Sequence, residues 1–577
     1  MIIMYYFLGG TKLKNKINIP IRCIVMLIIC VLLSFYGYFE WSGNYFATGF
    51  DSYFHLQRIY EVREAFLHNM IPGWLNFVTF HHLGQAINGM YPDISLWPLI
   101  YITNGFDPIH QVLVLRILLM LLTFFISYLS LAHRFNKDNS ALIAACYTLS
   151  GLVLRSFYLE LQWGTALTMA FLFPIIFNYM DLVKTEKLDI KLVLKTSLLG
   201  WVVLNSHLMS IFVLYLTLMV FWCATVFVKR NYISLANIVL SGSLLFITSL
   251  PVLYRYYILS KSKIASPFSE GKVAADSVMQ MITNASIDAR ATFTTIALLA
   301  MAIVVGNIDR SKVQKLFPYI YLELFIVVMG TGIAPWGLLE SLPFFKNFQN
   351  AGWRFMIFAS AIPLILVLIN FSDKAAKKIS VILLLLTIIS AVSVVTGYIK
   401  NSKNWDELSN KTNRIVNADE WTKVTSTGIN SDKIVRNIVP DYAPSEIRTV
   451  NDEGGVLAED IQKKIINNTV ENNGKPVTSK LSYAPNEVVY SMQNVSAGKL
   501  VLPVWGYSTL KYNITENGKK VDYSINKDGW LMLKVKDTSK AVVRVQYSYP
   551  KTYVYLLLLS VICLGCSLVA LLFKNIR

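Results

Sequence analysis

The feature that most constrains this chain is a series of apolar blocks, each about 18 to 25 residues long, the length that a helix needs to cross the hydrocarbon core of a bilayer. Almost no charged residues interrupt these blocks. The composition agrees, because 54% of the 577 residues are hydrophobic and 15% are charged, whereas ordinary soluble proteins have roughly 25% charged residues. The sequence therefore predicts an α-helical polytopic membrane protein, and it excludes a soluble enzyme, a fibrous protein and a disordered chain.

Twelve spans are predicted from the apolar blocks. The stretch 190–228 is long enough for two passes, and its most polar point, Asn205-Ser206-His207, marks the break between them. The predicted spans are 20–39, 112–132, 139–157, 164–183, 190–206, 209–228, 233–254, 291–307, 316–334, 353–371, 379–398 and 552–573.

The distribution of lysine and arginine predicts the orientation of these spans. When the N-terminus is placed in the cytoplasm, seven short inner pieces carry nineteen basic residues, and the outer loops 158–163 and 207–208 carry none. This asymmetry follows the positive-inside rule and places both termini in the cytoplasm, although the outer loop 255–290 goes against it with five basic residues. The net charge of +18 is not gathered in one basic domain, so we expect no nucleic-acid partner.

Two outer segments are too long to be simple connections between spans. Residues 40–111 form a large first outer loop, and residues 399–551 form a polar segment between the last two spans. We therefore expect a transmembrane bundle over 1–398, an extracytoplasmic domain over 399–551 and a closing transmembrane helix within 552–577.

The second half of the polar segment is predicted to be a small antiparallel β-sandwich. Short stretches there either alternate between apolar and polar residues or are continuously apolar, both of which are typical of strands. Glu516-Asn517-Gly518 and Lys527-Asp528-Gly529 are typical hairpin turns between such strands. The predicted strands are Val488–Tyr490, Lys499–Trp505, Leu510–Ile514, Val521–Ile525, Trp530–Val535 and Ala541–Tyr549.

The most suggestive cluster of polar residues follows the first span. If a helix starts at Asp51, then Asp51, His55 and Arg58 share one of its faces, and Asp51 caps it. A carboxylate, an imidazole and a guanidinium together can deprotonate a hydroxyl beside an anionic phosphate. A helix cap on a solvated face is the simpler interpretation, and the spacing also permits a divalent metal on Asp51 and His55, without assigning one.

Further polar residues are predicted on the same outer side. Tyr91 and Asp93 lie in the first outer loop, as do His81 and His82, of which at most one is expected to face a site. Other candidates lie at predicted span ends, where charged side chains often extend to water. These candidates are Glu160, His207, Gln349, Trp353 and Arg354.

The order of these motifs resembles a family of bacterial multi-spanning membrane proteins named for a 6-pyruvoyl-tetrahydropterin-synthase-related domain, close to the YfhO-type proteins. The resemblance rests on motifs spread along nearly the whole chain. They are Asp51-Ser52-Tyr53-Phe54-His55-Leu56-Gln57-Arg58, Met90-Tyr91-Pro92-Asp93, Asn205-Ser206-His207-Leu208-Met209-Ser210, Phe348-Gln349-Asn350-Ala351-Gly352-Trp353-Arg354-Phe355, Leu500-Val501-Leu502-Pro503 and Asn517-Gly518-Lys519-Lys520.

The resemblance implies a GT-C-like glycosyltransferase in a bacterial plasma membrane. Such enzymes take sugars from polyprenyl-phosphate carriers on the outer face, with an acidic residue of the first outer loop as their catalytic group, a position that Asp51 matches. We expect transfer to an envelope polysaccharide or glycolipid, with Asp51 as general base and Arg354 and Arg58 near the phosphate. His55 and His207 would orient the acceptor or bind phosphate. Membrane lipids are further expected partners.

Two other functions stay open from the sequence. A transporter or flippase would use an ionisable group near the middle of a span, and Glu323 is the main candidate. A catalytically silent envelope scaffold would use the sandwich to bind glycan. The sequence departs from the family pattern at Gly352, where the family has proline, and at Thr165-Ala166, where it has an acidic residue. These departures keep the scaffold in consideration.

Overall fold

The computed structural model is mostly helical up to residue 403 and rich in β-strands beyond residue 470. Apolar residues of the helical part form one core, and a second core joins the strands to part of the first outer loop. The structure describes residues 27, 38–42, 45–48, 52–159, 161–229, 231–264, 273, 275, 277, 289–342, 345, 348, 351–403, 422–425, 441–444, 448–451, 454–457 and 459–573.

The helices are numbered here in chain order. Short 3₁₀ turns lie at Phe80–His82, Ile94–Leu96 and Arg310–Lys312, and a π-helical turn lies at Arg155–Leu159. The α-helices are α1 (Tyr38–Ser42), α2 (Ser52–Leu67), α3 (Ile87–Met90), α4 (Trp97–Thr103), α5 (Pro108–Ala132), α6 (Lys137–Thr148), α7 (Gly151–Leu154), α8 (Trp163–Ala170), α9 (Leu172–Lys184), α10 (Ile190–Leu204), α11 (Leu208–Lys229), α12 (Ile233–Thr248), α13 (Leu250–Ser260), α14 (Ala289–Gly306), α15 (Val313–Met329), α16 (Trp336–Leu339), α17 (Ala351–Ala359), α18 (Ile362–Asn370), α19 (Asp373–Lys403), α20 (Glu459–Ile466) and α21 (Lys551–Leu572).

The helices coincide with the predicted spans, but they do not fix how many cross a membrane. Each predicted span from the second onward overlaps a helix or a pair of consecutive helices, and the first, 20–39, lies almost wholly outside the described residues. By length and composition, α5, α19 and α21 are each able to cross a membrane. Counting each bent pair as one span raises the number among the described residues to six. The count of twelve stays a prediction.

Three helix pairs bend sharply within one apolar stretch. The angles are 47° for α6 with the following turn through Phe157, 52° between α8 and α9, and 67° between α12 and α13. The largest bend has a direct cause, because Pro251 lies in the first turn of α13. Proline lacks an amide hydrogen, and its ring collides with the carbonyl four residues earlier, so it kinks or interrupts a helix.

The β-strands form two five-stranded antiparallel sheets and two smaller pairs. The larger sheets have the orders β11-β10-β14-β8-β7 and β12-β13-β9-β5-β6. The strands are β1 (Tyr45–Thr48), β2 (Thr422–Thr425), β3 (Arg448–Asn451), β4 (Gly454–Leu457), β5 (Val470–Asn472), β6 (Lys475–Val477), β7 (Ser479–Ala484), β8 (Glu487–Val495), β9 (Gly498–Trp505), β10 (Tyr512–Glu516), β11 (Lys519–Lys520), β12 (Tyr523–Ile525), β13 (Trp530–Val535) and β14 (Thr538–Tyr547). A small β-domain is therefore present, and its extracytoplasmic location stays a prediction.

One predicted hairpin is paired differently from the expectation. The turn at Asn517 and Gly518 has the two positive φ angles, 47° and 80°, that a tight hairpin requires. It joins β10 to the two-residue strand β11, after which the chain crosses to the other sheet. There β12 pairs with β13 rather than with β10. A turn signal predicts the reversal of the chain, but not which sheet the next residues join.

The β-domain packs directly on the first outer loop. Trp74, Phe77 and Leu83 belong to the same buried cluster as the inward-facing residues of both sheets. The amide of Trp505 donates to the Leu83 carbonyl at 2.8 Å. The Tyr507 hydroxyl accepts from the Ala86 amide at 2.9 Å. Residues 74–86 are therefore held between α2 on one side and the sheets on the other.

Candidate active site

One face of α2 holds the first outer loop through its side chains. The Glu61 carboxylate accepts hydrogen bonds from the amides of Phe77, Val78 and Thr79 at 2.9 to 3.2 Å and from the Thr79 hydroxyl at 2.7 Å. One turn earlier, Gln57 Oε1 accepts from the Phe80 amide at 2.9 Å. Burial raises the pKa of Glu61 to about 7, against the hydrogen bonds, which lower it. These contacts fix the loop against the helix that carries His55 and Arg58.

The loop then adopts a strained backbone at the two adjacent histidines. Phe80, His81 and His82 have φ angles of 49°, 61° and 65°, which residues other than glycine rarely adopt. His82 Nδ1 donates to the Phe77 carbonyl at 3.0 Å, and its ring stacks on Tyr483 of β7 with centroids 3.8 Å apart. His82 thus links the loop to the β-domain. Both histidines are buried.

His55 and Arg58 meet around the ring of Tyr91. Arg58 Nη1 donates to His55 Nδ1 at 3.2 Å, and its guanidinium carbon lies 3.9 Å from the centre of the Tyr91 ring. Arg58 Nη2 also donates to the carbonyls of Tyr91 and Pro92 at 3.3 and 3.2 Å. A guanidinium has no acceptor atom, so Nδ1 of His55 accepts and a neutral ring carries its proton on Nε2. That N–H makes no hydrogen bond within the described residues.

Asp93 forms a buried ion pair with an arginine that sequence reasoning did not select. Arg255 Nη2 lies 3.2 Å from Asp93 Oδ1, and both side chains are at most 4% exposed. The same nitrogen donates to the Tyr91 carbonyl at 3.2 Å. Arg255 therefore fixes the Tyr91 loop, and Asp93, which was expected to bind substrate, is occupied by it. A signal was present in the sequence, because Arg255 is one of the basic residues that oppose the positive-inside trend.

His207 and Arg354 form a second pair next to the first. Arg354 Nη1 lies 3.5 Å from His207 Nε2. The Ser210 amide donates to His207 Nδ1 at 3.3 Å, and the Ser210 hydroxyl lies 2.6 Å from the same nitrogen. Nδ1 is therefore assigned as the acceptor, which puts the proton of a neutral His207 on Nε2. Two donors then face each other across the 3.5 Å gap, an arrangement that suits an anionic oxygen accepting from both.

A glycine allows His207 to approach this position. A Cβ built on Gly164 at the start of α8 would lie 2.1 Å from the Ser206 carbonyl oxygen, closer than any real contact. Only glycine therefore permits α8 to pack against the turn between α10 and α11. The turn is also held from the other side, where the Asn205 carbonyl accepts from the Ser95 amide at 3.2 Å.

The two pairs form one cationic cluster, defined here as His55, Arg58, His207 and Arg354. The rings of His55 and His207 lie 5.7 and 5.9 Å from the Tyr91 ring. Burial lowers the pKa of His55 well below its usual value, and the charges of Arg58, His207 and Arg354 lower it further. Burial and then Arg354 and Arg58 lower the pKa of His207 in the same way. Both imidazoles are therefore neutral at pH 7, beside two guanidinium groups.

The structure places some of the predicted site residues and not others. It brings His55, Arg58, Tyr91, His207 and Arg354 together and engages Asp93 with Arg255. Three further candidates lie outside the described residues, as does the side chain of Trp353, which belongs to α17. These three candidates are Asp51, Glu160 and Gln349.

The metal expectation is not decided by the described part of the chain. No group of three or more His, Cys, Asp or Glu side chains is arranged to hold a metal ion among the residues searched there. Asp51, which was the other expected ligand beside His55, is not one of those residues. A divalent metal at this pair stays a prediction.

Comparison with known proteins finds similarity at the level of structure. No protein-family model and no curated protein matches the chain. Among solved structures, it is similar to the arabinofuranosyltransferase AftD from Mycobacteria, determined by single-particle cryo-electron microscopy, with 14% sequence identity and a TM-score of 0.40. The match covers 70% of this chain but only 30% of that chain, so this protein spans less than a third of the other's length.

Proposed function

We propose that this protein is a membrane glycosyltransferase that moves a sugar from a polyprenyl-phosphate donor to an envelope polysaccharide or glycolipid. The single observation that carries the proposal is the convergence of N–H donors from four side chains in the cationic cluster. Arg354 Nη1 and His207 Nε2 face each other at 3.5 Å. The rings of His55 and His207 both lie next to Tyr91, and His55 also carries an N–H on its Nε2. A set of N–H donors that converge in one region, two of them guanidinium groups, favours an anion with several oxygens, such as phosphate.

The charge balance of the cluster also favours a phosphate. The carboxylate closest in sequence to Tyr91 is Asp93, which forms its ion pair with Arg255 and attracts Arg58 only at longer range. Two guanidinium groups lie in the cationic cluster, and a bound anion stabilises such an arrangement of positive charges. The leaving group of a polyprenyl-phosphate sugar is such an anion, and its negative charge increases as the sugar departs.

The proposed reaction is a direct displacement with Asp51 as general base. Asp51 accepts the proton of the acceptor hydroxyl while that oxygen forms a bond to the anomeric carbon of the sugar. The bond between this carbon and the phosphate oxygen breaks, and its electron pair stays on the phosphate. Arg354, His207 and Arg58 stabilise the charge that develops there, so no acid catalyst is needed. Since attack and departure are on opposite faces, the anomeric configuration inverts.

Transfer of labelled sugar from a polyprenyl-phosphate donor, measured in membranes that contain the protein, tests this proposal. Asp51→Asn keeps the size and capping ability of the side chain but removes the base, so transfer should fall by about 10²- to 10⁴-fold. Glu323→Gln is the matched control, since it removes the carboxylate that a transporter would use, and transfer should persist. Wild-type rates with Asp51→Asn, at equal expression, would contradict the mechanism. Loss of function with Glu323→Gln alone would favour the transporter.

A further inference from the structure

A polar cleft lies between α5, α9 and α10, away from the candidate active site. It is lined by Arg134, which follows α5, by Asp181 of α9 and by Lys195 of α10. The Arg134 guanidinium bonds to the Asp181 carboxylate and lies 4.8 Å from the centre of the Phe177 ring. The lining of the cleft thus holds one carboxylate and two cationic side chains, so it has a net positive charge.

Lys195 is a cationic side chain of this cleft that has no direct ion pair among the described residues. It is half-buried, and its ammonium makes no hydrogen bond or ion pair within the described residues. An ammonium held partly out of water is unfavourable unless an anion compensates it. The carboxylates of Asp181 and Asp189 attract Lys195 at longer range, but the direct ion pair of Asp181 is with Arg134. The cleft therefore has an unused cationic donor directed at a space that a small anion can fill.

An apolar groove continues from the cleft between α9, α10, α11 and α12. Asn178 and Leu199 line both spaces, so the two are contiguous. Asn178 donates to the Thr196 hydroxyl at 2.6 Å, which occupies the polar groups at the junction. Beyond it the wall is mainly aliphatic, with residues such as Leu214 and Met219. A charged cleft that opens into an apolar groove matches a phosphate joined to an acyl chain.

The cleft and the candidate active site lie at opposite ends of α10. Lys195 is near the start of this helix, and His207 follows its end. Ten residues separate Lys195 from Asn205, which corresponds to about 15 Å along a helix. Under the predicted orientation, the cleft is on the inner side of the membrane, where Lys and Arg are concentrated.

We propose that the cleft and groove together bind an anionic phospholipid. The phosphate accepts from Lys195 and from the Arg134 guanidinium, and one acyl chain lies in the groove along Leu214 and Met219. Basic pockets between helices at the inner membrane surface are suited to such head groups. This site is independent of the proposed glycosyl transfer, because it uses none of the residues of the cationic cluster.

The test is native mass spectrometry of the full chain, purified in a non-ionic detergent and titrated with phosphatidylglycerol. Lys195→Gln should weaken binding of phosphatidylglycerol by about tenfold, the effect of losing one charge-assisted hydrogen bond. Met219→Trp narrows the groove and should lower the affinity for phosphatidylglycerol severalfold. It should not change the affinity for inorganic phosphate. Lys315→Gln is the matched control, since Lys315 is an exposed basic residue on α15 outside the cleft. It should leave the affinity unchanged.

Three results would overturn the proposal. Equal affinity for phosphatidylcholine with the same acyl chains would mean that the charge of the cleft is not used. Binding of inorganic phosphate as tight as that of the lipid, with no effect of Met219→Trp on the lipid, would mean a simple anion site. Undiminished lipid binding by Lys195→Gln would remove the assigned head-group contact. Thermal unfolding of each variant in the same detergent checks that the fold is retained.

Discussion

The buried ion pair between Arg255 and Asp93 gives the sharpest prediction about stability. Both side chains are at most 4% exposed, and their charged atoms are 3.2 Å apart. Replacing Arg255 with methionine leaves the Asp93 carboxylate buried without its partner, which costs roughly 3–5 kcal/mol. The Tyr91 carbonyl also loses the donor that now lies 3.2 Å away, at a cost of about 1 kcal/mol. We therefore expect Arg255→Met to lose about 4–6 kcal/mol of unfolding free energy.

A second substitution separates the charge from the packing. In the double variant Arg255→Met/Asp93→Leu no charge is left buried, so most of the loss should be recovered and about 1 kcal/mol should remain for the Tyr91 carbonyl. Denaturant unfolding of the purified chain in detergent measures these differences. Lys464→Gln is the control, because Lys464 is paired with Glu471 at 3.0 Å but is 33% exposed, and such surface pairs contribute about 1 kcal/mol or less. A double variant as unstable as the sum of the two single ones would refute the reasoning.

Three further predictions concern the same site and its orientation. The pKa values of His55 and His207 are lowered in the folded chain, so their contribution to stability is present above pH 6.5, the ordinary pKa of histidine, and is lost as the pH falls below it. Unfolding midpoints measured between pH 5 and 8 should show this loss, with a shallower pH dependence in His55→Gln. Gly164→Ala should cost roughly 1–3 kcal/mol in thermal unfolding, because the new Cβ would collide with the Ser206 carbonyl, and unchanged stability would mean that α8 and this turn are not in close contact. A cysteine introduced by Ser409→Cys should react with an impermeant reagent on intact cells, since residues 399–551 are predicted to be outside, and labelling only after lysis would contradict the topology.

The sequence predicts which segments form helices and strands better than it predicts which segments pack or pair with one another. Uninterrupted apolar blocks predict most ends of the apolar helices from residue 108 onward to within a few residues, because helical length and hydrophobicity are local properties. Bends such as the one at Pro251 were not predicted as breaks, although proline makes them understandable afterwards. The six predicted strands are present, but β12 joins the other sheet, since strand pairing depends on packing between residues distant in sequence.

The same limit applies to the candidate site. The predicted topology places His55, His207 and Arg354 on the same side of the membrane. The structure brings them into one cluster next to Tyr91. The partner of Asp93 could not be predicted, because Arg255 is 162 residues away in the sequence and no local pattern connects them. Glu61 was missed for a similar reason. Its role becomes visible only when the loop at residues 77–79 folds back onto α2.

Binding of the donor phosphate by Arg354 is the central element of the proposed function, and steady-state kinetics of Arg354→Lys test it most directly. Lysine keeps the positive charge but loses the planar, two-pronged geometry of the guanidinium. We predict that the KM for the polyprenyl-phosphate sugar rises about 10- to 100-fold, the effect of losing a hydrogen bond between charged groups, while the KM for the acceptor changes little. An unchanged donor KM together with a raised acceptor KM would show that Arg354 does not bind the phosphate.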